Sequence, residues 1–274
     1  MTNRISSRST LLAALFSIAS IAPITAGATI VEIQTDMGSF KVNLYDNDTP
    51  ATVANFLAYV NSGAYTNSVI HRSASNFVIQ SGGYTFDTDL PLDEIPTTSP
   101  VTNEPVFSNV RGTIAMAKNA SDPNSATSQW FINLTNNSAN LDSQNSGFTA
   151  FGEVIFDDSV DGMDVVDAIA ALRVFAFSAP FDNLPLQNYS IADYDNNVPV
   201  VEDNLVIVEM IVVADSTVDS AAGLNPPRNN ANSGSSGSGG GGGGGGALNT
   251  WATLMLLTLL LCRPVARRLA WKSS

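Results

Sequence analysis

The chemistry this chain can do is narrowed first by what it lacks. His71 is the only histidine, and the one cysteine, Cys262, lies near the C-terminus. Cysteine nucleophiles are therefore excluded from the body, and any serine–histidine–acid set depends wholly on His71. One histidine and no body cysteine cannot close a zinc site. The segment from Asp193 to Asn204 opens like a calcium loop, but it lacks glycine at its sixth position and carries Asn204 where a bidentate glutamate belongs. No metal and no cofactor is expected. What remains is a cation, two amides and aromatic side chains on short apolar runs. Arg72 and Gln80 lie in SVIHRSASNFVIQSGG (68–83), and Gln129 and Phe131 lie in SQWFI (128–132). Such groups hold and polarise a ligand; they do not attack it.

Runs 68–73, 77–81, 112–117, 128–134 and 149–155 read as strands. Alternation puts Val78 and Gln80 on one face, and Gln129 and Phe131 on one face. A small barrel fills its interior with side chains, so a site must lie outside or at the mouth. Arg72, Gln80, Gln129 and Phe131 are expected to converge there, with Ile79, Trp130 and Ile132 in the core. Arg72 is expected to point outward and bury little. His71 is expected to be a structural, inward or rim residue. Upstream, IVEIQTDMGSFKVNLY (30–45) reads as a hairpin turning at Asp36-Met37-Gly38. Asp48 or Thr49 can cap a helix that starts at Pro50 and ends at Gly63. A second helix spans Met163 to Leu172, a long polar loop runs from Phe175 to Val201, and a last strand spans Leu205 to Val213. Many short strands and two helices without βαβ alternation predict a mainly β fold: a closed eight-stranded antiparallel barrel capped by two α-helices.

The ends differ from the body. Residues 1–28 read as a signal peptide, with Arg4 and Arg8 before an apolar run and a small-x-small site at Ala26-Gly27-Ala28. The folded domain is assigned to 29–215. Residues 216–246 read as a flexible Gly/Ser/Asn-rich linker, 247–262 as a C-terminal transmembrane helix, and 263–274 as a basic cytoplasmic tail. Between residues 29 and 246 six basic side chains face 25 acidic ones, a balance of −19. That charge repels phosphate backbones and excludes nucleic acid as a partner.

Three separated stretches resemble one family. VIHRSASNFVIQSGG resembles the cyclophilin signature FHR-x5-F-x-x-QGG. FSNVRGTIAMAKNASDPNSATSQWFINL (107–134) is similar to its MAN…GSQFFI region in the bacterial exported form. FTAFGEVIFDDSVDGMDVVDAI (148–169) is similar to FGKV…GMDVVD. The order Gly-run, apolar helix, Arg cluster resembles a GlyGly-type C-terminal sorting tail of Gram-negative bacteria, which implies a rhomboid-like protease partner and a periplasmic or surface address for a membrane-anchored precursor.

The resemblance implies a peptidyl-prolyl cis-trans isomerase acting on X-Pro-containing polypeptides. It places Arg72 at the catalytic arginine position. Phe77, Val78, Phe131 and Leu141 fall on proline-pocket positions, and Gln80 and Gln129 on polar positioning ones. Ala117, Lys118 and Asn119 fall on the segment whose backbone pairs with the peptide. Three departures stand out: Lys118 replaces an asparagine, Asn140 falls where many members have tryptophan, and Phe148 where they have histidine. A non-catalytic module that grips proline peptides on the same barrel is the alternative.

Overall fold

The computed structural model describes residues 29–157, 160–216 and 224–231. The expected signal peptide, transmembrane helix and basic tail lie outside the described residues. Among the described residues, no helix is long and apolar enough to cross a membrane.

In chain order the elements are β1 (Ile30–Thr35), β2 (Gly38–Leu44), α1 (Pro50–Asn61), β3 (Ser68–Val69), β4 (Arg72–Ala74), β5 (Val78–Ser81), β6 (Tyr84–Thr85), β7 (Asp93–Glu94), β8 (Thr113–Met116), β9 (Trp130–Asn133), α2 (Ser138–Leu141), β10 (Ala150–Val154), β11 (Phe156–Asp157), β12 (Val160–Asp161), α3 (Gly162–Ala170), β13 (Arg173–Phe175), β14 (Leu184–Leu186), α4 (Ile191–Asp195) and β15 (Ile207–Asp215). One curled antiparallel sheet runs β4-β5-β9-β8-β10-β2-β1-β15-β3-β6-β7. It is an open ladder of short strands, where eight strands in a closed ring were expected.

The hairpin forms as the pattern predicts, with Gly38 at φ +130 and Thr35 paired to Gly38. Inward alternation fills the core: Val31, Ile33, Phe40, Val42, Ile79, Ile114, Trp130, Ile132 and Phe151 are buried in one cluster against Phe56 of α1 and Val166 and Ile169 of α3. Helix α1 starts where Pro50 predicts, but its cap differs. The Thr49 hydroxyl donates back to the Tyr45 carbonyl. The Glu104 carboxylate instead accepts from the Ala51 and Thr52 amides, at 3.2 and 2.9 Å. A carboxylate there also meets the positive end of the helix.

Two expectations fail for reasons of local geometry. The run 68–73 is not one strand. Consecutive amides diverge, Ile70 donating to the Val206 carbonyl and His71 to that of Gln80. Ile70 therefore enters the core, whereas an unbroken strand would put it on the face of Arg72, two residues on. The stretch 175–201 is not a polar loop. The hairpin β13–β14 carries Phe175, Phe181, Leu184 and Leu186, and the segment after α4 carries Val200, into a second apolar cluster with Val69 and Tyr84. Asp193 to Asp195 lie in α4, which starts on a Ser190 capping box; its short apolar runs are diluted by asparagine and aspartate, which hid them. No group of three or more metal-ligating side chains occurs among the described residues.

Candidate active site

Strand register, not sequence proximity, assembles the site. Arg72 pairs across to Gln80, Gln80 to Phe131, and Phe131 to Ala115. Directly opposed residues on neighbouring strands project to the same face. A cation, an amide and an aromatic ring thus stand in one row across β4, β5 and β9. The Gln80 amide donates to Gln129 Oε1 at 2.8 Å, joining both predicted glutamines.

Beside this row lies a third apolar cluster. Val78, Phe131, Leu141 and Phe148 are buried in it with Tyr45, Phe107, Ala115 and Ala150, and Phe77 and Ala117 pack against it. Phe131 and Phe148 meet edge to face, centroids 5.9 Å apart. The structure therefore gathers all five apolar positions singled out from sequence, Phe77, Val78, Phe131, Leu141 and Phe148. Asn140 sits on α2, half-buried, outside that cluster.

Arg72 departs from its outward expectation. Burial lowers the pKa of its guanidinium, the carboxylate of Asp182 partly offsetting this, and Nη1 is buried with no hydrogen-bond partner. The turn of the β13–β14 hairpin lies against this strand: the Ser73 amide donates to the Asn183 carbonyl at 2.9 Å, and the nearby Asp182 carboxylate acts on the guanidinium. A half-buried cation with an uncommitted N–H is poised to stabilise electron density that develops on a bound ligand. His71 is inward, 2% exposed, with its ring edge-on to Tyr84 at 4.8 Å. Desolvation drives its pKa down to about 3, with Arg72 adding to the effect. A neutral buried imidazole does no acid–base work near neutral pH.

Ala117, Lys118, Asn119 and Gln129 line a neighbouring cavity of about 380 Å³ with Gly83, Glu94 and Thr97. The Ala117 and Asn119 amides are engaged within the protein, by Gln129 O and by Ser125 Oγ. Lys118 does more than its backbone role implies. Its ammonium donates to the carbonyls of Asn145 (2.9 Å) and Gly147 (2.6 Å) and lies 4.7 Å from the centre of the Phe148 ring. Burial lowers its pKa to about 8, against an opposing pull from Asp122.

Sequence reasoning missed the ties that hold the 142–148 wall. Asp142 Oδ1 accepts from the Asn109 amide and side chain at 2.8 and 3.1 Å. The Asn109 side chain also reaches the Phe148 carbonyl at 3.0 Å. Isolated asparagines between strands give no periodic signal. It also missed residues 224–231, inside the expected linker, which lie against the wall: Leu224 packs on the third cluster and Phe107 bridges to Arg228.

Comparison with known proteins agrees with this geometry. The family described as "Cyclophilin type peptidyl-prolyl cis-trans isomerase/CLD" matches residues 30–195. A peptidyl-prolyl cis-trans isomerase of Acinetobacter baylyi is 40% identical over 166 residues, covering 60% of this chain and 82% of its own. Peptidyl-prolyl cis-trans isomerase cyp18 of Streptomyces antibioticus is 38% identical over 159 residues, 57% of this chain and 92% of its own. Peptidyl-prolyl cis-trans isomerase B of Escherichia coli is 37% identical over 142 residues, 51% of this chain and 83% of its own. A solved Cryptosporidium parvum cyclophilin covers 68% of this chain and 99% of its own at 21% identity, with a TM-score of 0.46, a likeness too low to bear on function. The signatures read from the sequence, the row they form and the span of the family match coincide, and the chain belongs to the cyclophilin-type peptidyl-prolyl cis-trans isomerase family.

Proposed function

We propose that this protein accelerates X-Pro isomerisation in exported polypeptides, with Arg72 stabilising the twisted amide. The observation that carries the reading is the row Arg72–Gln80–Phe131 in cross-strand register beside the apolar cluster of Val78, Leu141 and Phe148. The proline ring seats on that cluster, with Phe77 as a wall. Gln80, held by Gln129, positions a flanking carbonyl, and the Lys118 backbone pairs with the peptide, since the Ala117 and Asn119 amides are engaged within the protein.

An X-Pro bond rotates slowly because amide resonance sets a barrier of about 18–20 kcal/mol. Twisting makes the proline nitrogen pyramidal and gives it a lone pair. A guanidinium aimed there favours the twisted state alone, which is the condition for catalysis. Raising a spontaneous rate of about 0.01 per second to about 1000 per second lowers the barrier by roughly 7 kcal/mol. Removing one preorganised donor in other enzymes costs about 10²–10³ in rate, so Arg72 supplies about half and desolvation and binding strain the rest.

The finer fold assignment, a closed barrel, is supported by the bend at Ile70–His71, whose adjacent amides reach Gln80 in β5, second in the ladder, and Val206 just before β15, eighth in it. Export, the periplasmic or surface address, and anchoring through 247–262 before a rhomboid-like cut are supported by the charge and hydropathy pattern of the two ends. The test is a protease-coupled isomerisation assay on a short X-Pro peptide. A rate proportional to enzyme concentration is expected; binding of the peptide with no acceleration would leave only the non-catalytic module.

A further inference from the structure

Residues 224–231 follow the last strand of the sheet and fall beyond the family match, which ends at residue 195. Composition assigns them to the linker. Their contacts are those of a folded segment. Arg228 forms an antiparallel bridge with Phe107. The Ser108 amide donates to the Pro227 carbonyl at 2.8 Å, and the Asn229 amide to the Val106 carbonyl at 2.9 Å. The Ser108 hydroxyl adds a bond to the Arg228 carbonyl at 3.1 Å.

Asn229 is 8% exposed, unusual for a residue type that is mostly at the surface. Both polar atoms of its side chain are bonded. Nδ2 donates to the Asp142 carbonyl at 2.9 Å, and Oδ1 accepts from the Ala231 amide at 2.9 Å. At the other end of the wall, Gly147 has φ +80, and a Cβ there would lie 3.1 Å from Asn229 Nδ2. Asn229 therefore bonds one end of 142–147 at Asp142 and leaves no room for a side chain at the other, Gly147, between the pocket residues Leu141 and Phe148. Lys118 and Asn109 bind this wall from the sheet side of the chain; Asn229 binds it from the segment that follows the last strand.

We infer that residues 224–231 are a working part of the catalytic domain, and that Asn229 is a positioning residue that fixes the 142–147 wall of the proline pocket. The inference rests on the isomerase reading above. Asn229 touches no substrate; it acts through the Asp142 carbonyl on the placement of Leu141 and Phe148. A buried donor that meets a single carbonyl is worth most where the group it holds must be placed to within a fraction of an ångström.

The experiment uses the full chain and two variants. Asn229→Ala removes both bonds. Asn229→Asp keeps size and the acceptor for Ala231 but loses the donor to Asp142. Steady-state isomerisation is measured well below the melting temperature, with amide hydrogen exchange across 142–148. The expected result is a KM raised about 3–10-fold with kcat changed less than about 2-fold, and faster exchange at 142–148, in every variant that folds. An unfolded Asn229→Ala leaves Asn229→Asp to decide. Parental KM and exchange in a folded variant overturn the inference while leaving the isomerase reading intact. An inactive parent overturns the isomerase reading, and unchanged exchange in the variants then overturns the positioning role as well.

Discussion

His71 should make this protein lose stability in mild acid. The ring is 2% exposed, and its pKa falls from 6.5 to about 3 on folding. The folded state therefore keeps the imidazole neutral while the unfolded chain protonates it below pH 6.5. Between those values the unfolded state binds one more proton, so stability rises with pH and is lost as pH drops. Each pH unit in that window is worth about 1.4 kcal/mol. The cleanest interval is pH 6.5 to 5, above the ordinary carboxylate range and served by the chain's one histidine. A loss of about 2 kcal/mol is expected across it, or about 4–8 °C in Tm for a domain of this size. Urea and thermal denaturation of the parent and of His71→Phe at pH 6.5, 6.0, 5.5 and 5.0 measure it. The phenyl ring fills similar space beside Tyr84 but does not titrate, so the difference in stability between parent and variant should carry the His71 slope, and Asp36, whose pKa is raised by burial, cancels between the two. The same slope in both proteins would refute the reasoning.

The glycine pair that ends the site strand should separate two effects. Gly83→Ala places a Cβ 2.7 Å from the Gln129 amide, pushing aside a flexible side chain; kcat/KM should fall about 5–20-fold with a modest Tm loss. Gly82→Ala, at φ +76 and 2.6 Å from the Ser128 carbonyl, should instead destabilise by more than about 2 kcal/mol, read by urea denaturation. Lys118→Met removes two bonds and a ring contact from the 145–148 wall; KM should rise about 5–10-fold with kcat nearly constant. The parent's KM should also rise as pH passes about 8, where Lys118 loses its proton, and Lys118→Met should lack that inflection.

Periodicity carried the elements whose residues answer to one local rule. The 30–45 hairpin, the helix at Pro50 and the strands of Val78 and Trp130 lie within two residues of their expected limits, because alternation, turn glycine and helix spacing agree there. The faces of the site strands were legible for the same reason, from the spacing of Val78 and Gln80 and of Gln129 and Phe131; the register that aligns them with Arg72 was not. What could not be read depends on contacts distant in sequence. The strand of Arg72 is bonded through Ser73 to Asn183, about 110 positions downstream, and the cap of α1 comes from Glu104, 52 residues beyond Thr52. The bend at Ile70–His71 is set by two partners, Val206 and Gln80, that compete for adjacent amides. Residues 224–231 carry one leucine and one buried asparagine in a polar context, and composition alone cannot mark so few contacts as a docked segment.

The central claim is that the Arg72 guanidinium accelerates X-Pro rotation. Its direct test is kcat/KM for a short X-Pro peptide, measured for the parent and Arg72→Ala under conditions where circular dichroism shows both folded. Because Arg72 is half-buried beside Asp182, the folded fraction must be matched before rates are compared. The account predicts a parent far above the spontaneous rate and a variant lower by about 10²–10³, with Arg72→Lys recovering only part, since an ammonium lacks the planar fork. A folded Arg72→Ala protein that isomerises the peptide at the parental rate would contradict it.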